Sequence, residues 1–251
     1  MRTWPLRGFW KLTWLETKIF TREPMGFVGT LIMPVVLFVI LGRAIGVARP
    51  ATPPTVDIPF NVAILAAILI AVSAVQSLVA IISIYREGGI LKRLRSTPLS
   101  PVTIMGAQVA VKLVFTVVSL TLLLLAGRRI FPGVMQVNVV SFTLAVLLST
   151  FSILSLGFVI ASLVPTARFA QPISAAVLYP MLALSGLFFP VDKLPRALQK
   201  LAYLFPTTHA VTLLKGVWDG SGWSPHWVSV AALLALFAAY TAISTRVFRW
   251  E

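Results

Sequence analysis

Long apolar runs alternate along this chain with short polar or proline-rich stretches. The runs recur at about twenty residues, the length an α-helix needs to cross the hydrocarbon core of a bilayer. They predict six spans, at 26–45, 60–84, 102–126, 137–164, 169–189 and 227–245. Pro34 falls inside the first span and is expected to kink it; Pro172 and Pro180 interrupt the fifth. The connector 46–59 carries four prolines, Pro50, Pro53, Pro54 and Pro59, and is too polar to stay in lipid. The period-two alternation of a transmembrane barrel strand is absent from the sequence. The predicted fold class is an all-α membrane protein, a single transmembrane domain over 1–251.

Two stretches outside the spans are amphipathic. Residues 4–22 mix Trp4, Trp10, Trp14 and Phe20 with Arg7, Lys11, Lys18 and Arg22, a composition suited to a helix lying in the headgroup layer. Pro24 then turns the chain into the bilayer. Within 192–217, Leu194, Leu198, Leu201 and Phe205 make a stripe opposite Lys193, Arg196 and Lys200. Pro206 breaks that stripe, and Thr207 or Thr208 is expected to cap a second short helix. This predicts two half-buried, re-entrant helices at the outer surface.

Inside the spans, polar residues fall on faces. Ser73, Gln76, Ser77 and Ser83 recur at helical spacing in the second span, so that face should meet protein or cargo rather than lipid. Ser73, Gln76 and Ser77 are the candidate pathway-lining residues. Ser149, Ser152 and Ser155 make a second such row. All seven acids fall outside the predicted spans, which leaves an ion-gradient-driven carrier without an obvious internal group. Lys112 is the one ionisable residue well inside a span, about 13 Å deep by helix rise. Two readings of it stand: it snorkels to the nearer membrane surface, the favoured one, or it partners a polar substrate or Gln108 within the membrane.

Composition and charge narrow the function. Of the 251 residues, 58% are hydrophobic and 11% charged, and the formal net charge is +14. The cations gather at span ends, where they meet anionic lipid and set orientation, so nucleic acid is not an expected partner. Arg2, Arg7, Lys11, Lys18 and Arg22, with Arg86, Lys92, Arg93 and Arg95, form the denser side. That side, with both termini, is expected to be cytoplasmic, although Arg128 and Arg129 oppose it. The N-terminus does not read as a cleavable signal. There is no cysteine, no GxxxxGK phosphate loop, and no acid or cysteine cluster beside His209 or His226. Catalytic, metal and cofactor sites are therefore not expected in this chain, and energy should enter from outside it.

The remaining candidate for that entry is 85–101, YREGGILKRLRSTPLSP. Gly88 and Gly89 permit a sharp exit from the second span; Ile90, Leu91 and Leu94 share a helical face, while Lys92, Arg93 and Arg95 take the rest. Thr97 and Pro98 end the helix. On composition alone this is an ordinary basic loop obeying the positive-inside rule. The stretch EGGILKRLRSTPLSP, however, resembles the cytoplasmic signature of type-2 ABC export permeases. TREPMGFVGTLIMP at 21–34 resembles that family's approach to its first span, and SGLFFPVDKLPRALQKLAYLFPTTHAVTLLKG at 185–216 its outer re-entrant helices. The resemblance implies a permease of the prokaryotic inner membrane, paired with a second copy or a similar permease, and bound to two cytoplasmic ATPase subunits that hold ATP and Mg. It implies a coupling helix over 86–98, with Glu87, Gly88, Gly89, Leu91, Lys92, Arg93, Leu94, Arg95, Thr97 and Pro98 as coupling residues. It also implies that the interfacial helix 4–22 touches the ATPase. An amphiphilic drug or lipid-like cargo is favoured because the connectors are short. A lipid-linked polysaccharide and a non-transporting assembly role are the alternatives.

Overall fold

The computed structural model describes residues 4–22, 24–44, 61–90, 101–131, 137–164 and 166–247. Among them the chain is all-helical. Helix α1 is Trp4–Arg22. Helix α2 runs through Pro24–Phe27, a π-helical turn Val28–Ile32, and Met33–Ala44. Then follow α3 (Val62–Glu87), α4 (Pro101–Ile130), α5 (Val139–Leu163) and α6 (Ala167–Ala183). Helices α7 (Arg196–Leu204), α8 (Pro206–Trp218) and α9 (Trp227–Val247) complete it.

Four segments are long and apolar enough to cross a membrane: Ile64–Glu87, Thr103–Ile130, Val139–Leu163 and Ser224–Arg246. The expected first and fifth spans are built differently. Val28–Ala44 is a shorter apolar helix, and α6 has 17 residues, with Pro172 and Pro180 inside. The irregularity that Pro34 causes lies before it rather than at it. Pro34 has no N–H to give Thr30's carbonyl four residues back. The turn widens there, so that the Met33 N–H bonds Val28 instead. Ser119 Oγ of α4 then donates to the stranded Thr30 carbonyl at 3.1 Å. A backbone carbonyl in an apolar bundle needs such a partner.

Helix α3 is the centre. It packs against α2, α4, α5, α6 and α8, and Ile68, Ile70, Ala74, Val75 and Leu78 are fully buried. Gly157 lets α5 approach it closely: a Cβ there would lie 3.0 Å from Val75 and 3.2 Å from Leu78. Helix α9 lies outermost, packed on α5 and α8, with Ser152 Oγ donating to the Leu233 carbonyl at 2.9 Å. The serine row of α5 therefore faces protein, as Ser149, Ser152 and Ser155 are all buried.

The pair α7 and α8 closes one end. The expected threonine cap is not what starts α8. Pro206 occupies its first turn, and no side chain caps it. The two threonine hydroxyls are used for tertiary ties instead: Thr207 to the Met181 carbonyl at 3.0 Å and Thr208 to the Ala202 carbonyl at 2.6 Å. The N-cap is Phe205, so both threonines stand inside the first turn, past the position from which a hydroxyl caps. Lys215 ties α8 to the end of α6 through the Gly186 carbonyl at 2.6 Å. Burial pushes its ammonium below the usual lysine range, with Asp219 pulling the other way. His209 reaches the Tyr203 carbonyl at 3.0 Å. His226 rests on Gly216, where a Cβ would sit 1.9 Å from its Nε2. Gly216→Ala should therefore destabilise the fold by about 1–3 kcal/mol through overpacking, read as a lower unfolding temperature by tryptophan fluorescence. Gly106→Ala should not, because its nearest neighbour, Phe9, is at 3.5 Å.

Candidate functional site

The end of the bundle where α3 finishes and α4 begins holds an unusual density of buried polar groups. Helix α1 lies across α4 there. Its outer face carries Trp10 and Trp14, 67% and 72% exposed, so the indoles face away from the bundle. Its inner face carries Leu12, Thr13, Glu16 and Phe20, all buried. Tyr85, in the last turn of α3, donates its hydroxyl to Glu16, 2.8 Å from each carboxylate oxygen. Gln108 of α4, also buried, lies beside that hydroxyl.

One turn further along α4 is Lys112, 1% exposed. It does not snorkel. Its ammonium donates to Ser77 Oγ of α3 at 2.6 Å and sits 4.4 Å from the centre of the Phe20 ring. The snorkelling reading fails because α1 covers that flank of α4 and offers an aromatic face, which holds a cation well in a dry setting. Glu16 was not singled out by sequence reasoning. Its signal was there: it lies four residues from both Leu12 and Phe20, an acid on the apolar stripe of an amphipathic helix.

Ser77 links this cluster to a cavity of about 360 Å³. The π turn of α2 contributes Gly29 and Thr30, α3 contributes Ser73, Gln76 and Ser77, and α6 contributes Gln171. Met33, Ile81 and Ile84 supply apolar wall. Ser77 thus accepts from Lys112 and also lines the cavity, so the buried ammonium and the cavity wall share one hydroxyl. The wall thus offers hydroxyl and carboxamide groups beside apolar surface, with a buried cation one residue behind it. All three candidate lining residues are in it.

Of the expected coupling residues, Glu87, Gly88 and Gly89 are described. Helix α3 ends at Glu87, and Gly88 and Gly89 form the turn that follows, Gly89 at φ +65°, which a side chain would strain. Leu91, Lys92, Arg93, Leu94, Arg95, Thr97 and Pro98 lie outside the described residues. Glu87 Oε1 accepts the Ala167 N–H at the start of α6, 2.9 Å away.

Long apolar helices with a partly polar cavity between them define a multi-pass membrane protein. The chain belongs to the ABC-2 type transporter family, whose model matches residues 7–217. It is 29% identical over 166 residues to the inner membrane transport permease YhhJ of Escherichia coli strain K12, covering 65% of this chain and 44% of that protein. Nodulation protein J of Rhizobium leguminosarum bv. viciae is 32% identical over 95 residues, 38% of this chain and 37% of that protein. Nodulation protein J of Neorhizobium galegae is 38% identical over 61 residues, 24% and 23% of the two chains. The matched region spans less than half the length of each of these relatives.

Proposed function

We infer that this chain is the membrane permease of an ATP-driven exporter, carrying an amphiphilic, drug-like or lipid-like cargo. The observation that carries the reading is the cavity: hydrogen-bonding groups of α2, α3 and α6 gathered opposite Met33, Ile81 and Ile84, inside helices otherwise apolar. An amphiphile matches both walls, since its polar head replaces lost water contacts while its tail stays in apolar surroundings. Ser73, Gln76 and Ser77 line the path. A second permease copy completes the path, and lipid surrounds it.

Fuel comes from a cytoplasmic ATPase that holds ATP and Mg; this chain is not itself an enzyme. The ATPase seats the coupling segment 86–98, with Leu91 and Leu94 as apolar knobs and Lys92, Arg93 and Arg95 against partner acids. Both termini, α1 and that segment lie on the cytoplasmic side of a prokaryotic inner membrane. A lipid-linked polysaccharide is the second reading, favoured by the exposed Trp10 and Trp14 indoles, whose faces suit a sugar at the membrane surface.

The test is purification from native membranes. An ATPase with a GxxxxGK motif should co-purify, and Leu91→Asp should cut the hydrolysis of the complex to background. Unchanged hydrolysis and transport in Leu91→Asp would remove the coupling assignment. Candidate amphiphiles and lipid-linked glycans are separated by which one stimulates hydrolysis, and a complex that hydrolyses no ATP with any cargo is an assembly factor.

A further inference from the structure

Three consecutive residues close α3, and each bonds a different element. Tyr85 holds Glu16 of α1. Arg86 donates to the carbonyls of Ala161, at 3.4 Å, and Val164 at the end of α5. Glu87 accepts the first N–H of α6. The charges suit the positions: a cation at a helix C-terminus and an anion at a helix N-terminus both complement the helix dipole.

The α5–α6 junction closes itself only in part, through the Phe169 N–H on the Thr166 carbonyl at 3.0 Å. Thr166 is a residue type that commonly caps a helix, and it stands at the N-cap of α6, yet its side chain caps nothing. The last carbonyls of α5 are likewise orphans of any helix end. Both sets of groups find partners on α3, 75 to 80 residues away in sequence. Helix α3 also packs along α5 and α6. The junction is therefore built to follow the last turn of α3.

We propose that Tyr85, Arg86 and Glu87 are a transmission hub: they pass displacement of the segment after α3 to α1, α5 and α6 together. This rests on the permease reading, and it changes the role of Glu87. Its carboxylate, though exposed, is a positioning group bonded to the start of α6, rather than a contact for the ATPase. A push on the coupling segment then moves both α3 and α6, which carry Gln76 and Gln171 on the cavity wall. Displacement of the last turn of one helix is converted to a change in cavity shape because the packed core does not deform continuously.

Amide hydrogen exchange of the purified permease–ATPase complex tests this, without nucleotide and trapped with ADP–vanadate. In the wild type, exchange at 161–170 should change on trapping. Glu87→Ala should raise exchange at 166–170 about tenfold without nucleotide, and remove the response to trapping. Glu87→Gln, which keeps an acceptor, should restore both to within about threefold of wild type. Arg86→Ala should act on 161–164. Unaltered exchange in α8 shows that each variant is folded. A response to trapping that is the same in wild type, Glu87→Ala and Arg86→Ala overturns the hub. So does a wild-type junction that ignores trapping while the complex still hydrolyses ATP. Absence of any ATPase from the complex overturns the permease reading instead.

Discussion

Lys112→Met should leave the permease as stable as the wild type, or more so, and still lower cargo-stimulated ATP hydrolysis about tenfold or more. The two halves have separate causes. Methionine fills nearly the same volume without an ammonium, so the cost of keeping a charge buried is recovered against the loss of the bonds that Lys112 makes. Ser77, released by Lys112, can return its hydroxyl to the Ser73 carbonyl four residues back, as helical serines do. The functional half follows from the bond that is lost. Lys112 donates to Ser77 at 2.6 Å, and that bond fixes the hydroxyl of a serine on the cavity wall. Hydrogen bonds to charged groups contribute about 1.5–3 kcal/mol, and the position of the Ser77 oxygen is set by one of them. Losing about 1.4 kcal/mol of cargo interaction is already tenfold in affinity. The measurement pairs thermal unfolding of the purified permease with hydrolysis against cargo concentration. A Lys112→Met protein that unfolds early but hydrolyses normally once folded would give the lysine a purely structural role.

Tyr85→Phe should show the reverse pattern in stability. It removes the hydroxyl that serves both carboxylate oxygens of Glu16, and Glu16 is only 4% exposed. A buried acceptor left without its donor costs about 1–3 kcal/mol, and more for a charged group. In a chain of this size that lowers the unfolding temperature by roughly 2–4 °C per kcal/mol. Glu16→Ala should cost a similar amount, because it leaves the Tyr85 hydroxyl buried with one partner fewer. The double variant, Glu16→Ala with Tyr85→Phe, should be milder than the sum by about 0.5–3 kcal/mol, as for any pair that meets directly. Glu16→Lys should be the most severe, since it buries a cation where Tyr85 meets a carboxylate. Its readout is increased proteolysis between α1 and α2. Additive single losses would mean that the contact between α1 and α3 is incidental.

These residues also mark how far a linear reading reaches. The apolar runs, the prolines and the basic stretch after the second span were legible because each is a local property of the chain. The polar face of Ser73, Gln76 and Ser77 was legible for the same reason, since helical spacing alone puts them on one side. Pro34 was legible as a disturbance, but not as a π turn repaired by Ser119, because the repair comes from 85 residues further on. The threonines at the start of α8 had the right chemistry for a cap. What redirected them was the nearness of the Met181 and Ala202 carbonyls.

By itself the sequence determined the solvent of this protein, its helical class and its polar faces. All follow from hydropathy, helical period and charge, which need no partner to be read. The tertiary structure alone decided which groups meet: Lys112 with Ser77, Tyr85 with Glu16, and Arg86 and Glu87 with the two ends of the α5–α6 junction. The reason is that buried polar groups in an apolar medium must be satisfied by whatever the packing brings near, and packing is a property of the whole bundle rather than of any one helix.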